Sequence, residues 1–295
     1  MHRLAPQMSL EEQINLLFQI DDPARSAENI NLLDDLRGAL NRGEIRAAER
    51  GPRGWKVNAW VRKGLLLHVK LGLLAEVCGE TPGAGGKGFE LDTFPARRFS
   101  LDDEVRLPLG GTYVRDGVYL ARGVTCMPPV FVNIGASIGA GSVLDSNSMV
   151  GVCAQIGERV HIGPGSQIGG VLVPFELLPV IIGDDVSVGG CCGIFGSVEI
   201  GCGAALAAGT MLAAGSPVYD ATRKEILCRD ENGLLSIPPG AVVMPGACPM
   251  PPQDGDAPPV LLQAAIITAY RALSSNAANA PPPGFPDSSG SAENH

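Results

Sequence analysis

The sequence predicts a mainly β protein: a left-handed parallel β-helix with an α-rich amino-terminal domain and a small carboxy-terminal extension. Three observations predict it. Within residues 114–219 an apolar anchor recurs at every sixth position: Val114, Leu120, Cys126, Val132, Ile138, Leu144, Val150, Ile156, Ile162 and Ile168. After a break of fourteen residues the phase resumes at Ile182, Val188, Ile194, Ile200, Leu206, Leu212 and Val218. The residue four places after an anchor is small or β-branched, as at Val118, Val124, Ala136, Ser142, Ala154 and Ser166. The residue directly after an anchor is often Gly, as at 139, 157, 163, 169, 183 and 201.

Six residues make one short strand plus a corner, and three such units close a triangular coil of about eighteen residues. Anchors point inward and stack between coils, so Val114, Val132, Val150 and Ile168 are expected to form one ladder. The Gly after an anchor is expected to supply positive φ at the corner. Neither a 3.6-residue period nor strict alternation fits this stretch.

Elsewhere the elements follow in order. Ser9 and Glu12 stand at capping-box spacing ahead of Leu10, Ile14, Leu17 and Ile20, predicting a helix over 9–20. A second helix is expected over 30–40, stopping near Gly43. A strand pair is expected around Gly51 and Gly54, then a helix from Asn58, and a Gly-rich loop over 79–93. These make residues 1–109 the amino-terminal domain and 110–221 the β-helix. The fourteen-residue break holds two residues too many for the period, so a loop over 169–179 leaves the prism at one corner, where solenoids commonly place binding loops. Residues 222–233 read as a hairpin-like excursion, and 237–243 as one last strand leaving the coil. The apolar run 259–273 is expected to close the prism's end as a strand or a helix, within a capping segment over 222–273. The composition of 274–295 predicts a disordered tail.

Composition narrows the function. A net charge of −9, without basic runs interleaved with aromatics, argues against nucleic acid or an anionic membrane as the main partner. The eight cysteines show no metal-ligand spacing, and several occupy repeat positions, so reduced core thiols are expected. The amino terminus carries no continuous apolar region, and no run reaches membrane-spanning length. A soluble, cytoplasmic protein is expected.

Four stretches are more specific than the repeat. These are LNRGEIRAAE (40–49) with GWKVNAWVRK (54–63) and LLL (65–67); MP (127–128) with FVNIGA (131–136); VGVCAQIG (150–157) with His161 and IGGVL (168–172); and PVII (179–182) with VYD (218–220). Together they resemble the tetrahydrodipicolinate N-succinyltransferase family over roughly residues 38–250. The resemblance implies a cytoplasmic homotrimer with acyl-coenzyme A, succinyl or acetyl, in a groove between neighbouring prisms. The implied acceptor is an α-amino dicarboxylate of the diaminopimelate–lysine route, whose amine attacks the thioester.

A thioester is already activated, so such an enzyme needs no covalent nucleophile. It needs a group to take the amine proton, donors for the oxyanion and tight positioning. Asp145 follows anchor Leu144, where the repeat prefers Gly, and matches the family's aspartate in contact with the acceptor. A corner-tolerant Asp is the plainer alternative. Arg106 matches the family's carboxylate-binding arginine if one residue is inserted before Val114, with Arg115 and Arg122 as competitors. His161 suits a base, but a structural corner histidine is favoured. A metal is not expected: a carbonic-anhydrase-type site needs three histidines, and of His2, His68, His161 and His295 only one lies in the repeat.

The chain also departs from the family pattern. The arginine and second carboxylate of that pattern fall on Cys191 and Gly193, and its usual Trp falls on Asn147. Glu199 is no obvious substitute, while Glu176 in the loop is a candidate to reach the site. These departures leave two alternatives open. One is a specialised-metabolite acetyltransferase of the tabtoxin type; the other is a catalytically silent β-helix acting as a binding or scaffold subunit.

Overall fold

The computed structural model describes residues 8–51, 54–78, 87–213, 215–250 and 260–272. The hexapeptide stretch forms a left-handed parallel β-helix whose strands stack into sheets of six, six and nine strands. The first face stacks Thr125–Cys126, Val143–Leu144, His161–Ile162, Ser187–Val188 and Ala205–Leu206. The second stacks Tyr113–Val114, Phe131–Val132, Met149–Val150, Gln167–Ile168, Gly193–Ile194 and Met211–Leu212. The third stacks Tyr119–Leu120, Ser137–Ile138, Gln155–Ile156, Ile181–Ile182, Val198–Ile200 and Leu235–Ile237.

Each anchor is the inward residue of its strand, and Leu144, Val150, Ile162, Ile168, Val188 and Ile194 are all 0% exposed. No single coil could bury these side chains; stacking does. The expected ladder of Val114, Val132, Val150 and Ile168 is present. Ser142 and Ser166, at the small interior positions, satisfy themselves on corner carbonyls of Gly157 and Gly189 at 2.9 and 2.8 Å.

The glycines after the anchors serve a different purpose from the one the repeat suggests. Positive φ falls three places after the anchor, at Gly117, Gly123, Gly135, Gly141, Gly165, Gly203 and Gly209, and there Asn147, Cys153, Arg159, Asp185 and Cys191 also adopt it. The glycines directly after the anchors are absent from this set. They are needed because consecutive coils touch there: a Cβ on Gly151 would lie 2.2 Å from the Gly170 nitrogen, and one on Gly163 2.7 Å from the Gly189 carbonyl carbon.

The amino-terminal domain packs three helices, α1 (Leu10–Phe18), α2 (Ala27–Asn41) and α3 (Ala59–Leu71), over the second–third corner of the prism. The Ser9–Glu12 capping box opens α1, and the strand pair Ala48–Gly51 and Gly54–Val57 precedes α3. Ile14, Leu33, Leu36, Leu65 and Leu67 share a core with Ile134 and Cys153 of the prism. The loop expected over 79–93 is partly strand: Lys87–Leu91 pairs antiparallel with Leu74–Cys78. Residues 79–86 lie outside the described residues, as does the tail expected from 274.

The coil runs beyond residue 221. Leu235–Ile237 stacks on Val198–Ile200, and Val242 and Val243 on Ala205 and Leu206, so the chain leaves the prism only after Val243. The closing segment is a strand: Val260–Tyr270 runs antiparallel to Ala241–Met250 and parallel to Val218–Asp220. The buried Asp220 carboxylate ties this end together. It accepts hydrogen bonds from the Thr222 hydroxyl at 2.7 Å, the Arg223 N–H at 3.1 Å and the Tyr270 hydroxyl.

His68 in α3 is fully buried, and its Nδ1–H donates to the Gly64 carbonyl at 2.8 Å. Burial pushes its pKa from 6.5 down to about 4. The folded chain therefore holds the neutral ring, and its stability is complete above pH 6.5 and falls as the unfolded chain takes up the proton. By about pH 4 the loss reaches roughly 3 kcal/mol. Urea unfolding at a series of pH values should show that decline across pH 6.5 to 4.5, approximately, and His68→Phe should flatten it.

Candidate active site

The corner between the first and second faces carries Asp145. The Leu144 anchor points into the prism, and Asp145 begins the turn, its N–H donating to the Ile162 carbonyl of the next coil at 2.9 Å. Its Oδ1 accepts the Ser146 N–H at 2.7 Å, which leaves Oδ2 toward solvent and toward His161. Asp145 is not a left-handed residue; Asn147, two places on, takes that role with φ 61°. Positive φ is therefore not what places an Asp at 145, and its local contribution to the corner is the bond from Ser146 to Oδ1.

His161 comes to the same spot through the register. It pairs with Val143 on the first face and projects outward, with Nε2 3.6 Å from Asp145 Oδ2. The side chain of His161 is 48% exposed and that of Asp145 35%, so both are open to a ligand. At 3.6 Å this is an electrostatic pair and not a hydrogen bond. The pair links two neighbouring coils, and the outward placement of the ring is legible in the sequence, since position 161 precedes an anchor and such residues face outward.

Arg106 lies outside the hexapeptide phase, yet it forms an isolated parallel bridge with Thr125. Its N–H donates to Val124 and its carbonyl accepts from Cys126. This adds one rung to the first face and sets Arg106 in the column of Thr125, Val143 and His161, three rungs, or about 14 Å, from His161. Its guanidinium is exposed, with Nη1 3.8 Å from the Met127 sulfur, and makes no ion pair among the described residues.

The competing arginines are occupied. Arg115 pairs with Glu90 at 2.6 Å and lies over the rings of Phe94 and Phe131. Arg122 pairs with Glu104 at 2.6 Å. Glu199 sits on the third face, accepting from Trp55 Nε1 at 3.0 Å, and braces the strand pair before α3. The 169–179 loop leaves from the second–third corner, one corner along from Asp145. It is fastened to the amino-terminal domain: Phe175 packs edge-on against Phe18, and the buried Arg62 of α3 donates to the carbonyls of Pro174, Phe175 and Leu177. Within one chain Glu176 therefore projects from a different corner and does not join Asp145.

Two positions of the corner region carry no polar side chain. Cys191 is exposed at φ 55°. Gly193 is closed over: a Cβ there would lie 2.5 Å from Met211 Cε and 2.6 Å from Phe195 Cε2. Cys126, Cys153 and Cys192 are buried free thiols. Burial pushes the Cys126 thiol up to about 12, so it stays protonated in the core. Among the described residues no group of three or more His, Cys, Asp or Glu side chains is arranged to hold a metal ion.

The stacked coils form a hexapeptide-repeat scaffold, with a carboxylate and an imidazole side by side at one outer corner. A family model described as the tetrahydrodipicolinate N-succinyltransferase N-terminal domain matches residues 9–71. The chain is 36% identical to the 2,3,4,5-tetrahydropyridine-2,6-dicarboxylate N-succinyltransferase of Nitrobacter winogradskyi over 272 residues, 89% of this chain and 93% of that protein. It is 35% identical to the protein of the same name from Bradyrhizobium diazoefficiens, over 88% of this chain and 92% of that one. The chain belongs to the 2,3,4,5-tetrahydropyridine-2,6-dicarboxylate N-succinyltransferase family.

Proposed function

We propose that the protein transfers an acyl group from acyl-coenzyme A to the amino group of tetrahydrodipicolinate, present once water has added across its cyclic imine, or of a related amino dicarboxylate, in the diaminopimelate–lysine route, as a cytoplasmic homotrimer. The observation that carries this reading is Asp145 at the corner beside His161, with Arg106 in the same column as His161 and without an ion pair among the described residues. The acceptor's carboxylate pairs with the Arg106 guanidinium. Its amine lies at Asp145 Oδ2, which orients the nitrogen lone pair toward the thioester carbonyl and takes the proton released as the C–N bond forms. The tetrahedral adduct then collapses, the C–S bond breaks, and the coenzyme A thiolate leaves and picks up a proton. His161 stands beside the carboxylate, its Nε2 3.6 Å from Asp145 Oδ2.

The direct test is free-thiol release from acyl-coenzyme A in the presence of tetrahydrodipicolinate. Arg106→Ala should raise the acceptor KM about tenfold, the contribution of one exposed charge-assisted pair, with a smaller effect on the donor KM. An unchanged acceptor KM would remove Arg106 from the site. The closure of Gly193 by Phe195 and Met211 favours a second reading, a silent binding subunit. Tight coenzyme A binding without turnover on any amino dicarboxylate would establish it.

A further inference from the structure

The amino-terminal domain holds a cavity of its own, none of whose lining residues belongs to the prism. Helices α1 and α3 lie side by side and are tied at two levels by polar contacts. At one level the Lys63 ammonium donates to Asn15 Oδ1 at 2.9 Å. At the other, Lys70 Nζ donates to the Asp21 carbonyl and Arg25 Nη1 to the Leu71 carbonyl. Between Lys63 and Lys70 α3 rises about 10 Å, and over that span the polar contacts give way to Phe18, Leu66 and Leu67. These side chains do not close the gap. A cavity of about 270 Å³ remains, lined by Phe18, Ile20, Asp21, Leu66, Leu67 and Lys70 and open to solvent.

We propose that this cavity binds a small zwitterion with an apolar body, a free α-amino acid with a leucine- or phenylalanine-sized side chain. Floor and walls are hydrocarbon: Leu67 is buried, and Phe18 and Leu66 are half-buried. Water there has polar partners only at the mouth, so an apolar group displaces it favourably. The mouth carries one cation, Lys70, and one anion, Asp21. Lys70 uses one N–H on the Asp21 backbone carbonyl and keeps its others, and the Asp21 carboxylate accepts no hydrogen bond among the described residues. That pair of opposite charges suits a ligand bearing both an ammonium and a carboxylate. A carboxylate alone meets Asp21 as a like charge, and an amine alone meets Lys70. The volume agrees, since larger organic ligands need pockets of about 300 Å³ and upward.

A filled cavity is coupled to the 169–179 loop. The Phe18 ring that forms one wall meets the Phe175 ring edge-on, with centroids 5.6 Å apart. Phe175 is held in turn by Arg62, which donates to its carbonyl at 3.0 Å. A ligand packed against Phe18 fixes that ring and the seat of Phe175 with it. Amide hydrogen exchange over the loop should therefore slow when the cavity fills.

Calorimetric titration of the full chain with L-leucine and L-phenylalanine tests this. At least one should bind saturably, one molecule per chain, with Kd at or below about 1 mM, and should slow amide exchange over 172–178. Leucinamide, which lacks the carboxylate, and 4-methylpentanoate, which lacks the amine, should bind at least roughly tenfold more weakly. Asp21→Asn and Lys70→Met, both at exposed positions, should each weaken binding by about the same factor. Leu66→Trp, which fills the cavity, should abolish it, and Arg106→Ala should leave the affinity unchanged. No saturable binding of either amino acid overturns the inference, as does equal binding of 4-methylpentanoate. Unchanged exchange over 172–178 in the ligand-bound chain overturns the coupling to the loop. Affinity lost in Arg106→Ala but kept in Asp21→Asn would place the ligand at the acceptor site, overturning the cavity while supporting the acyl-transfer reading.

Discussion

Asp145→Asn should lower kcat/KM for the acceptor amine by about 10² to 10⁴, the range a positioned proton acceptor contributes. The substitution is nearly isosteric, and Asn can still accept the Ser146 N–H that Oδ1 accepts at 2.7 Å. Chain stability should therefore change little, and urea unfolding of the variant should overlay that of the unmodified protein. What is lost is the negative charge and the capacity to take a proton. His161→Gln should give a smaller loss, because the ring lies 3.6 Å from the carboxylate and acts on it through space. Thiol-release kinetics on both variants would decide the ranking. A His161→Gln defect larger than that of Asp145→Asn would exchange their roles and make the imidazole the proton acceptor.

Gly157→Ala should destabilise the fold by about 2–3 kcal/mol, although it adds a single methyl group. A Cβ at 157 would lie 2.4 Å from Asp184 Oδ1, 2.7 Å from the Asp184 nitrogen and 2.8 Å from the Gly183 carbonyl carbon. The backbone of the next coil cannot retreat without breaking its ladder, in which the Gly157 N–H donates to Ile182 at 2.8 Å. Gly209→Ala is the matched comparison: its φ is +76°, and a Cβ would meet nothing within 4 Å. There the cost is conformational, about 1–2 kcal/mol. Denaturant unfolding of both variants separates close approach from backbone strain. Equal costs would mean that the coils yield at the corner and that the close contact carries little of the glycine preference.

Much of this fold is legible from spacing because a β-helix is nearly one-dimensional: each coil contacts only its neighbours, so period and burial are local properties of the sequence. The capping box at Ser9, the strand pair before α3 and every anchor follow from such local rules. Where the reading went astray, a longer range decided. Glycine after an anchor was expected to supply positive φ, but close approach of the next coil, eighteen or more residues away, is what requires it at Gly151, Gly157 and Gly163. Residues 237–243 read as a strand leaving the prism because the hairpin before them interrupts the phase. Stacking on Val198–Ile200 and on Ala205–Leu206 draws them back into the coil.

The amino-acid sequence by itself determined the prism, its anchors and the anomalous carboxylate at 145, since each is a matter of period and of residue type at one place in that period. The tertiary structure alone decided what surrounds that carboxylate. It brought His161 to Asp145 by registering the two coils, and it set Arg106 on the same face through a bridge outside the repeat. It also occupied Arg115 with Glu90, twenty-five residues away in the chain. It closed Gly193 with Phe195 and Met211. Ion pairing and close packing depend on which side chains meet across coils, and a six-residue period does not specify that.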